Sequence, residues 1–569
     1  MDRDTVISYL RDADGIEFVS DLAPTRMGAE DFPLHLMMCN LFVNGNAVAI
    51  KLLITKWFPR QLPIFFLEKY DALGFLPHIE PRGNICFLEK ESIYINEEEP
   101  RVVFEASVEL AIQTLSDGLS KANWQDFREE FQVFWERNQS VSSLPLSSFI
   151  KVIEEPKIIQ IVKDQKKAMA FDLENAELQK RIHFKDGKGL TKTGIYIPLT
   201  IDCEIIPPKY TRSWTGDEFV DWLNPKISEE HWALLRDSIL NKRANRFEYL
   251  LIGIPRNTGA TILVGGHLKS KGNSKHPLVT PNSGWGFTMH SVKRLDPSAF
   301  LPRGGAKTLL QEKAVLLVGC GSVGSHFAIE LAKAGVGKIH LVDNDKIELE
   351  NVQRYALGFQ YVGVHKVTAI KEFLNSNYWL SQVESYEVSL ENFLDIENLD
   401  LGKYDLIVSA TGNPTINIYL NKLAREDKIP LLIGWNEPFG IGGHALLDSA
   451  EGKGCYRCLF RNQYNIASFS GKDQPKPFHR KHLGCGEVFT PYSALDSVRT
   501  SELMTRSAIS FLSDRTLKSQ ILSWKGDKTD FENEGFIVSE RYTNQTQEKM
   551  DENRFSFVQN GCPNCGKTE

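Results

Sequence analysis

Residues 314–358 read AVLLVGCGSVGSHFAIELAKAGVGKIHLVDNDKIELENVQRYALG, and this stretch decides the fold around it. The unbroken apolar run Ala314 to Val318 has the pattern of a strand buried on both faces of a parallel sheet. Gly319, Gly321 and Gly324 follow as G-x-G-x-x-G. The first suits a tight turn, the second lets backbone N–H groups approach a phosphate, and the third lets helix pack against sheet. A helix beginning near Ser325 would turn its N-terminal dipole toward those phosphates, and Ala334-Gly335-Val336-Gly337 would end it. A second strand, Lys338 to Val342, closes at Asp343, where a ribose-binding carboxylate belongs. These residues imply a nucleotide site.

A glycine fingerprint alone reads by default as a nicotinamide-dependent oxidoreductase. Asp343-Asn344-Asp345, then Asn351-Val352-Gln353-Arg354 and, on the next expected helix, Lys366 argue for different chemistry. Two cations beyond the ribose acid suit a triphosphate better than a pyrophosphate held by backbone. This D-x-D, N-x-x-R and downstream lysine resemble the ThiF/MoeB/HesA superfamily, the adenylating domain of ubiquitin-activating enzymes. The resemblance implies ATP and Mg²⁺ as cofactors and activation of a protein C-terminus as an acyl-adenylate. It also implies a homodimer sharing an arginine, with Arg303 in Leu301-Pro302-Arg303-Gly304-Gly305 the candidate contact to ATP.

At 569 residues the chain has room for three or four domains. Its 42% hydrophobic and 24% charged content is ordinary for a globular protein. A formal net charge of −7 gives no reason to expect a nucleic-acid partner. No apolar run approaches the ~20 residues of a membrane helix, so no membrane partner is expected. The opening MDRDTVISYLRDADG lacks a secretory apolar core, and nine cysteines in an unexported chain argue against a disulfide framework. A cytoplasmic enzyme is the expectation.

Residues 1–140 follow another logic. Leu41 to Val43, Val48 to Ile54 and Ile64 to Leu67 read as successive antiparallel strands, and helical periodicity runs from Phe104 to Leu119 and from Trp124 to Trp135. Between them stands Leu76-Pro77-His78-Ile79-Glu80-Pro81-Arg82-Gly83-Asn84-Ile85-Cys86. Meander, G-x-I-C loop and C-terminal helices together resemble the ubiquitin-conjugating α+β fold. That resemblance makes Cys86 a thioester-carrying thiol. It puts His78 where the family has an oxyanion-stabilising asparagine; an imidazole N–H could donate there, or a neutral ring could act as base.

SVSSLPLSS reads as a polar linker, assigned to residues 141–150. Residues 151–300 read as α/β: strand from Tyr196 to Ile206, helices from Asp217 to Leu240, buried strands at Glu248 to Ile254 and Ala260 to Gly265, and a solvated loop from Lys269 to Lys275. Bacterial fusions of conjugating and activating domains hold a degenerate, silent adenylation-like domain here, and the resemblance implies the same.

In residues 301–569, Asp405 to Asn413 reads as a further strand whose C-terminal loop reaches the nucleotide. The resembled family carries Thr-Asp-Asn there; Gly412 replaces the acid, leaving Asp345 as the candidate carboxylate for Mg²⁺. Cys455-x-x-Cys458 and Cys562-x-x-Cys565 have the spacing of a structural Cys₄ Zn²⁺ site, with a redox CxxC the competing reading. Cys485 lies in Arg480-Lys481-His482-Leu483-Gly484-Cys485-Gly486, before a helix expected from Ser493 to Leu512. Neighbouring cations favour a thiolate, and in the resembled family the thioester cysteine sits in such a crossover segment. Cys39, Cys203 and Cys320 read as structural.

Conjugating-like, silent α/β and activating-like order resembles the fused enzymes of cyclic-oligonucleotide (CBASS) anti-phage operons. It implies ATP-driven adenylation of a partner C-terminus, that of a cGAS-like nucleotidyltransferase, then thioester at Cys485, transfer to Cys86 and attack by a target amine. Alternatives are a sulfur-carrier or other modifier-activating enzyme, an oxidoreductase, and a non-catalytic scaffold.

Overall fold

The computed structural model describes the chain except residues 1, 24–33, 89–94, 139–140, 164–166, 175–177, 179–181, 183–189, 201–203, 210–213, 241–246, 258, 271–275, 277, 280–283, 397–398, 482–487 and 567–569. Residues 1–175 with 184–296 form one compact unit, and residues 297–569 with 176–183 form another. Among the described residues no helix is long and apolar enough to cross a membrane.

The first unit opens with α1 (Arg3–Asp12), capped by Asp2, whose carboxylate accepts from Thr5 N–H at 2.8 Å. Strands β1 (Ile16–Asp21), β2 (His35–Val43), β3 (Asn46–Ile54) and β4 (Ile64–Leu67) form an antiparallel sheet in that order. Asn44 and Gly45, at φ 50° and 81°, supply the two left-handed residues of a β2–β3 hairpin turn. Helix α2 (Pro100–Ser120) lays Phe104, Val108, Ala111 and Leu115 on the sheet face of Met37, Cys39, Leu41, Ile50 and Leu52. Helices α3 (Asp126–Glu129) and α4 (Phe131–Glu136) follow. The expected meander and helices are present; α1 and β1 are additions.

The expected linker is a strand. Residues Val141–Ser148 form β5, parallel to both β7 (Ala168–Asp172) and β11 (Gly286–Arg294). With β6 (Lys157–Lys163), β8 (Leu190–Pro198), β9 (Phe247–Ile254) and β10 (Ile262–Lys269) they close a barrel in the order β10-β11-β5-β7-β6-β8-β9. This corrects the adenylation-like α/β domain expected over 151–300. Tyr196, Tyr249, Leu251 and Leu263 fill the interior, while Ile195, Ile197, Leu250 and Ile252 pack outward against α5 (Gly216–Leu223) and α6 (Glu229–Leu240). Strands buried on both sides read as unbroken apolar runs, the pattern of an α/β sheet as well.

The barrel also holds α4. Phe131 and Trp135 join its outer core, and the Trp135 indole N–H lies 3.2 Å from Gly265 O and 3.0 Å from His290 O. Arg256 pairs with Glu129 at 2.7 Å. The conjugating-like fold is therefore bolted to the barrel, not hung from a flexible tether.

The second unit carries a seven-stranded sheet: β14 (Gln382–Tyr386), β13 (Lys338–Val342), β12 (Ala314–Val318), β15 (Leu406–Ser409), β16 (Leu431–Asn436), β17 (Gly442–Asp448) and β18 (Gln520–Lys525). The five strands from β14 to β16 run parallel, and β17 is antiparallel to both its neighbours, β16 and β18. Helix α7 runs Ser322–Lys333, starting three residues before Ser325, and α8 (Lys366–Asn377) follows β13. Helix α9 (Pro414–Glu426) follows β15. Helix α10 (Ala494–Ser513), capped by Ser493, covers β16 and β17 with Met504 and Ala508.

Candidate functional site

The glycine turn is shaped by close approach. Gly319 sits at φ +88° with Ala410 and Thr411 backbone 2.9 Å from where a Cβ would stand, and a Cβ on Gly324 would fall 2.0 Å from Gly319 O. A Cβ on Gly321 meets nothing within 4 Å, so the N-terminus of α7 opens onto free space, where an anion is favoured. Asp343 braces the turn: its carboxylate accepts from Cys320 N–H at 2.7 Å and Asp345 N–H at 2.8 Å. Cys320 is fully buried, and burial with the nearby Asp343 charge pushes its thiol well up, so it is inert as read.

Lys366 pairs with Asp345 at 2.7 Å, and Arg354 lies 3.5 Å from the Asn351 amide oxygen. The Arg354 guanidinium also stands 4.9 Å over the Tyr492 ring, whose hydroxyl is 2.8 Å from Ser322 Oγ. The structure thus gathers Gly319, Gly321, Gly324, Asp343, Asp345, Asn351, Arg354 and Lys366 at the strand ends. Tyr492 was not foreseen; an aromatic just before the cap of α10 was the available signal. Arg303 is exposed on the turn Pro302–Gly304, and no hydrogen bond or ion pair ties it to this set among the described residues. Gly412 has φ +66°, a conformation that favours glycine over the family's acid. Only Asp345 of the proposed acids stands exposed here, which is enough for a Mg²⁺ that takes its remaining ligands from phosphate and water. A cleft of about 1210 Å³ adjoins the set, lined by Asn351, Arg354, Tyr492, Asp496, Arg499 and Trp524.

The second centre lies on the loop after β4. Gly83, at φ +85°, passes so close to Leu67 that a Cβ would stand 2.8 Å from its carbonyl, and Cys86 N–H donates to His78 O at 2.8 Å. Cys86 Sγ lies 3.5 Å from Glu80 Oε1, and Arg137 holds the same oxygen at 2.5 Å. The residue is exposed, yet crowding desolvates its thiol; that, with the Glu80 and Glu130 charges, pushes it up to about 12, Arg137 opposing. The resting thiol is protonated.

His78 departs from both roles expected of its ring. Nδ1 lies 3.0 Å from Glu130 Oε1 and Nε2 2.9 Å from Asp126 Oδ2. Glu130, then Asp126, raise its pKa to about 9 against the cost of burial. The ring is an imidazolium with both N–H groups committed, so it is neither a neutral base nor a free oxyanion donor. It clamps the cysteine loop to the α3–α4 segment that the barrel anchors. Sequence reasoning missed Glu80, Asp126, Glu130 and Arg137; two acids one helical turn apart in DFREE were the visible signal.

Cys455, Cys458, Cys562 and Cys565 place their sulfurs within 4.8 Å of one another. The closest pairs are 4.0 Å (Cys455–Cys458), 3.6 Å (Cys455–Cys562) and 3.4 Å (Cys458–Cys565). A tetrahedral centre with Zn–S of ~2.3 Å needs sulfurs about 3.8 Å apart, so the set fits one ion. Gly454 N–H approaches Cys565 Sγ at 3.4 Å, and Arg425 spans Asp448 and the carbonyls of Gly452 and Gly454. Cys485 and Cys203 lie outside the described residues; Cys485 falls between paired segments Arg480–Lys481 and Val488–Phe489. Cys39 is buried.

Residues 297–498 match the ThiF family and residues 25–143 match the prokaryotic E2 family B. The chain joins an adenylation-type ThiF domain to an E2-like domain. It is similar to the ATP-dependent ubiquitin transferase-like protein Cap2 of Vibrio cholerae serotype O1, with 30% identity over 243 residues, 40% of this chain and 40% of the relative. Cap2 of Escherichia coli strain TW11681 is 29% identical over 261 residues, 41% and 43% of the two lengths. The matched stretches thus span less than half of these relatives. Among solved structures, E. coli MccB with AMPCPP and SeMet MccA overlaps 38% of this chain and 62% of its own at 22% identity, with a TM-score of 0.31.

Proposed function

We propose that the chain activates the C-terminus of a partner protein with ATP and conjugates it to a target amine, using the thiol of Cys86 as the last carrier. One observation carries this reading: an open glycine turn with Arg354 and Lys366 near it and an E2-like thiol centre occupy the same chain. A sulfur-carrier activating enzyme has no use for the second centre.

The partner's carboxylate attacks the α-phosphorus of ATP, giving acyl-adenylate and pyrophosphate. Lys366 and Arg354 hold phosphate oxygens as charge builds there, and Asp343 takes the ribose; Asp345 would hold a Mg²⁺, which would supply charge to screen the phosphates. The tail lies in the cleft beneath Tyr492. Cys485 displaces AMP to form a thioester, and Cys86 takes the acyl group as Cys485 recovers its thiol. Glu80 accepts the Cys86 proton during that exchange. The amine then attacks, an amide forms and the Cys86 thiol leaves. His78 positions the loop. A Zn²⁺ on the four cysteines would tie residues 562–565 to the turn at 455–458 and stabilise the domain without joining the chemistry.

At finer grain, the reading places the enzyme in the cytoplasm as a homodimer, with Arg303 as the shared contact, and its partner as a cGAS-like nucleotidyltransferase of anti-phage defence. The likeness of domain order supports this. ATP–pyrophosphate exchange with the partner tests the first step: Arg354→Ala and Lys366→Ala should lose it by ~10²–10³-fold, the usual cost of a charge-stabilising group. Cys86→Ala should keep it. Equal exchange in wild type and Lys366→Ala contradicts the proposal.

A further inference from the structure

One end of the barrel collects charge and aromatic surface that the conjugation chemistry does not use. Lys163 ends β6, Phe247 begins β9 and Lys269 ends β10, while Lys192 lies near the start of β8, so all four reach the same mouth. Lys192 Nζ stands 4.3 Å and Lys269 Nζ 5.6 Å from the Phe247 ring centre, and Lys163 Nζ stands 5.8 Å from that of Tyr249. Phe247 stacks on His267 at 5.0 Å, and His267 Nδ1 lies 2.8 Å from His290 Nε2. His290 Nδ1 points at Leu144 O, 3.4 Å away. Below them Tyr249 joins the apolar interior.

Among the described residues this arrangement is unfavourable. Three ammonium groups converge, and none has a carboxylate partner among the described residues. Burial first, and then neighbouring Lys163, make Lys192 easier to deprotonate. Burial, His290 and the three lysines bring His267 down to about 4, so the pair stays neutral. A cation cluster kept at such a cost fits a site whose ligand supplies the missing negative charge. Lys192 and Lys269 lie on the two strands that flank β9, so their backbones stand two strand spacings, ~10 Å, apart. Three cations rooted on three strands suit a ligand that carries several linked phosphates, each with its own charge. His267 stacks on Phe247 and two lysines approach the same ring, so the ring shapes the mouth.

We propose that the barrel mouth is a binding site for an oligophosphate, either free or as the phosphate tail of a nucleotide. Because ATP also has a place in the second unit, the full chain carrying Arg354→Ala and Lys366→Ala is the background for the test. Calorimetric titration of that protein with inorganic tripolyphosphate should show one site per chain. Adding Lys192→Ala and Lys269→Ala should weaken it at least tenfold. ATP binding equal to tripolyphosphate supports a phosphate-only reader, and tighter ATP supports a nucleotide; both keep the site. Removing the two lysines relieves repulsion, so the thermal midpoint without ligand should be no lower than before. Unchanged affinity in the lysine variants, no binding at millimolar tripolyphosphate, or a lowered midpoint overturns the proposal.

Discussion

The main-chain N–H of Cys86 donates to the carbonyl of His78 at 2.8 Å, while the His78 ring is held by Glu130 and Asp126 at 3.0 and 2.9 Å. The nucleophile is thus placed by the backbone of a residue whose side chain is fastened to the α3–α4 segment. His78 has φ 60°, a left-handed conformation that a non-glycine residue holds only when its surroundings insist. Two charge-assisted hydrogen bonds provide that insistence.

This clamp makes stability depend on pH. With a folded pKa of about 9 against an ordinary 6.5, His78 contributes fully below pH 6.5, and the contribution is lost as pH rises through 9. The thermal midpoint of wild type should therefore exceed that of His78→Gln at pH 6.5, and the difference should shrink toward pH 9.5. A constant difference across that range contradicts the clamp.

The charges around Cys86 predict opposite effects of two substitutions. Glu80→Gln removes a charge that raises the thiol pKa, so alkylation of Cys86 by iodoacetamide at pH 8 should speed up; Arg137→Ala should slow it. A one-unit shift corresponds to about tenfold in thiolate fraction. Yet Glu80→Gln should slow acyl transfer to Cys86, because the proton acceptor is gone. Faster alkylation with faster transfer would remove Glu80 from the proposed role.

Much of this was legible beforehand. The glycine turn, β12 and β13 read correctly because period, spacing and turn chemistry agreed, and the charged residues to Lys366 lie beside that turn. The four cysteines were legible from spacing alone, although 107 residues separate Cys455 from Cys562. The barrel was not, since doubly buried strands lose the alternation that marks an antiparallel fold. β5 hid because SVSSLPLSS is polar with a central proline, its pairing supplied by β7 and β11 from far along the chain. The His78 clamp was hidden for a similar reason: Asp126 lies 48 residues away.

Two glycines of the fingerprint should separate folding from binding. Gly324→Ala puts a Cβ 2.0 Å from Gly319 O and should lower the thermal midpoint, whereas Gly321→Ala, with nothing within 4 Å, should leave it unchanged. Gly321→Ala should still reduce ATP–pyrophosphate exchange at least tenfold by occupying the phosphate opening. Full exchange in Gly321→Ala would place the phosphates elsewhere.

Metal analysis of purified protein should find about one zinc per chain, the content of a single four-cysteine site. Cys458→Ser should release it and lower the thermal midpoint, with the Cys86 alkylation rate unaffected. A zinc-free protein of unchanged midpoint and full activity contradicts a structural metal.

The order of the two thiols tests the account most directly. The chain is incubated with its partner and ATP, and thioester adducts are mapped by mass spectrometry before and after reductant. Cys86→Ala should accumulate a reductant-sensitive adduct at Cys485, and Cys485→Ala should accumulate none at either cysteine. Loading of Cys86 at the wild-type rate in Cys485→Ala would contradict the relay.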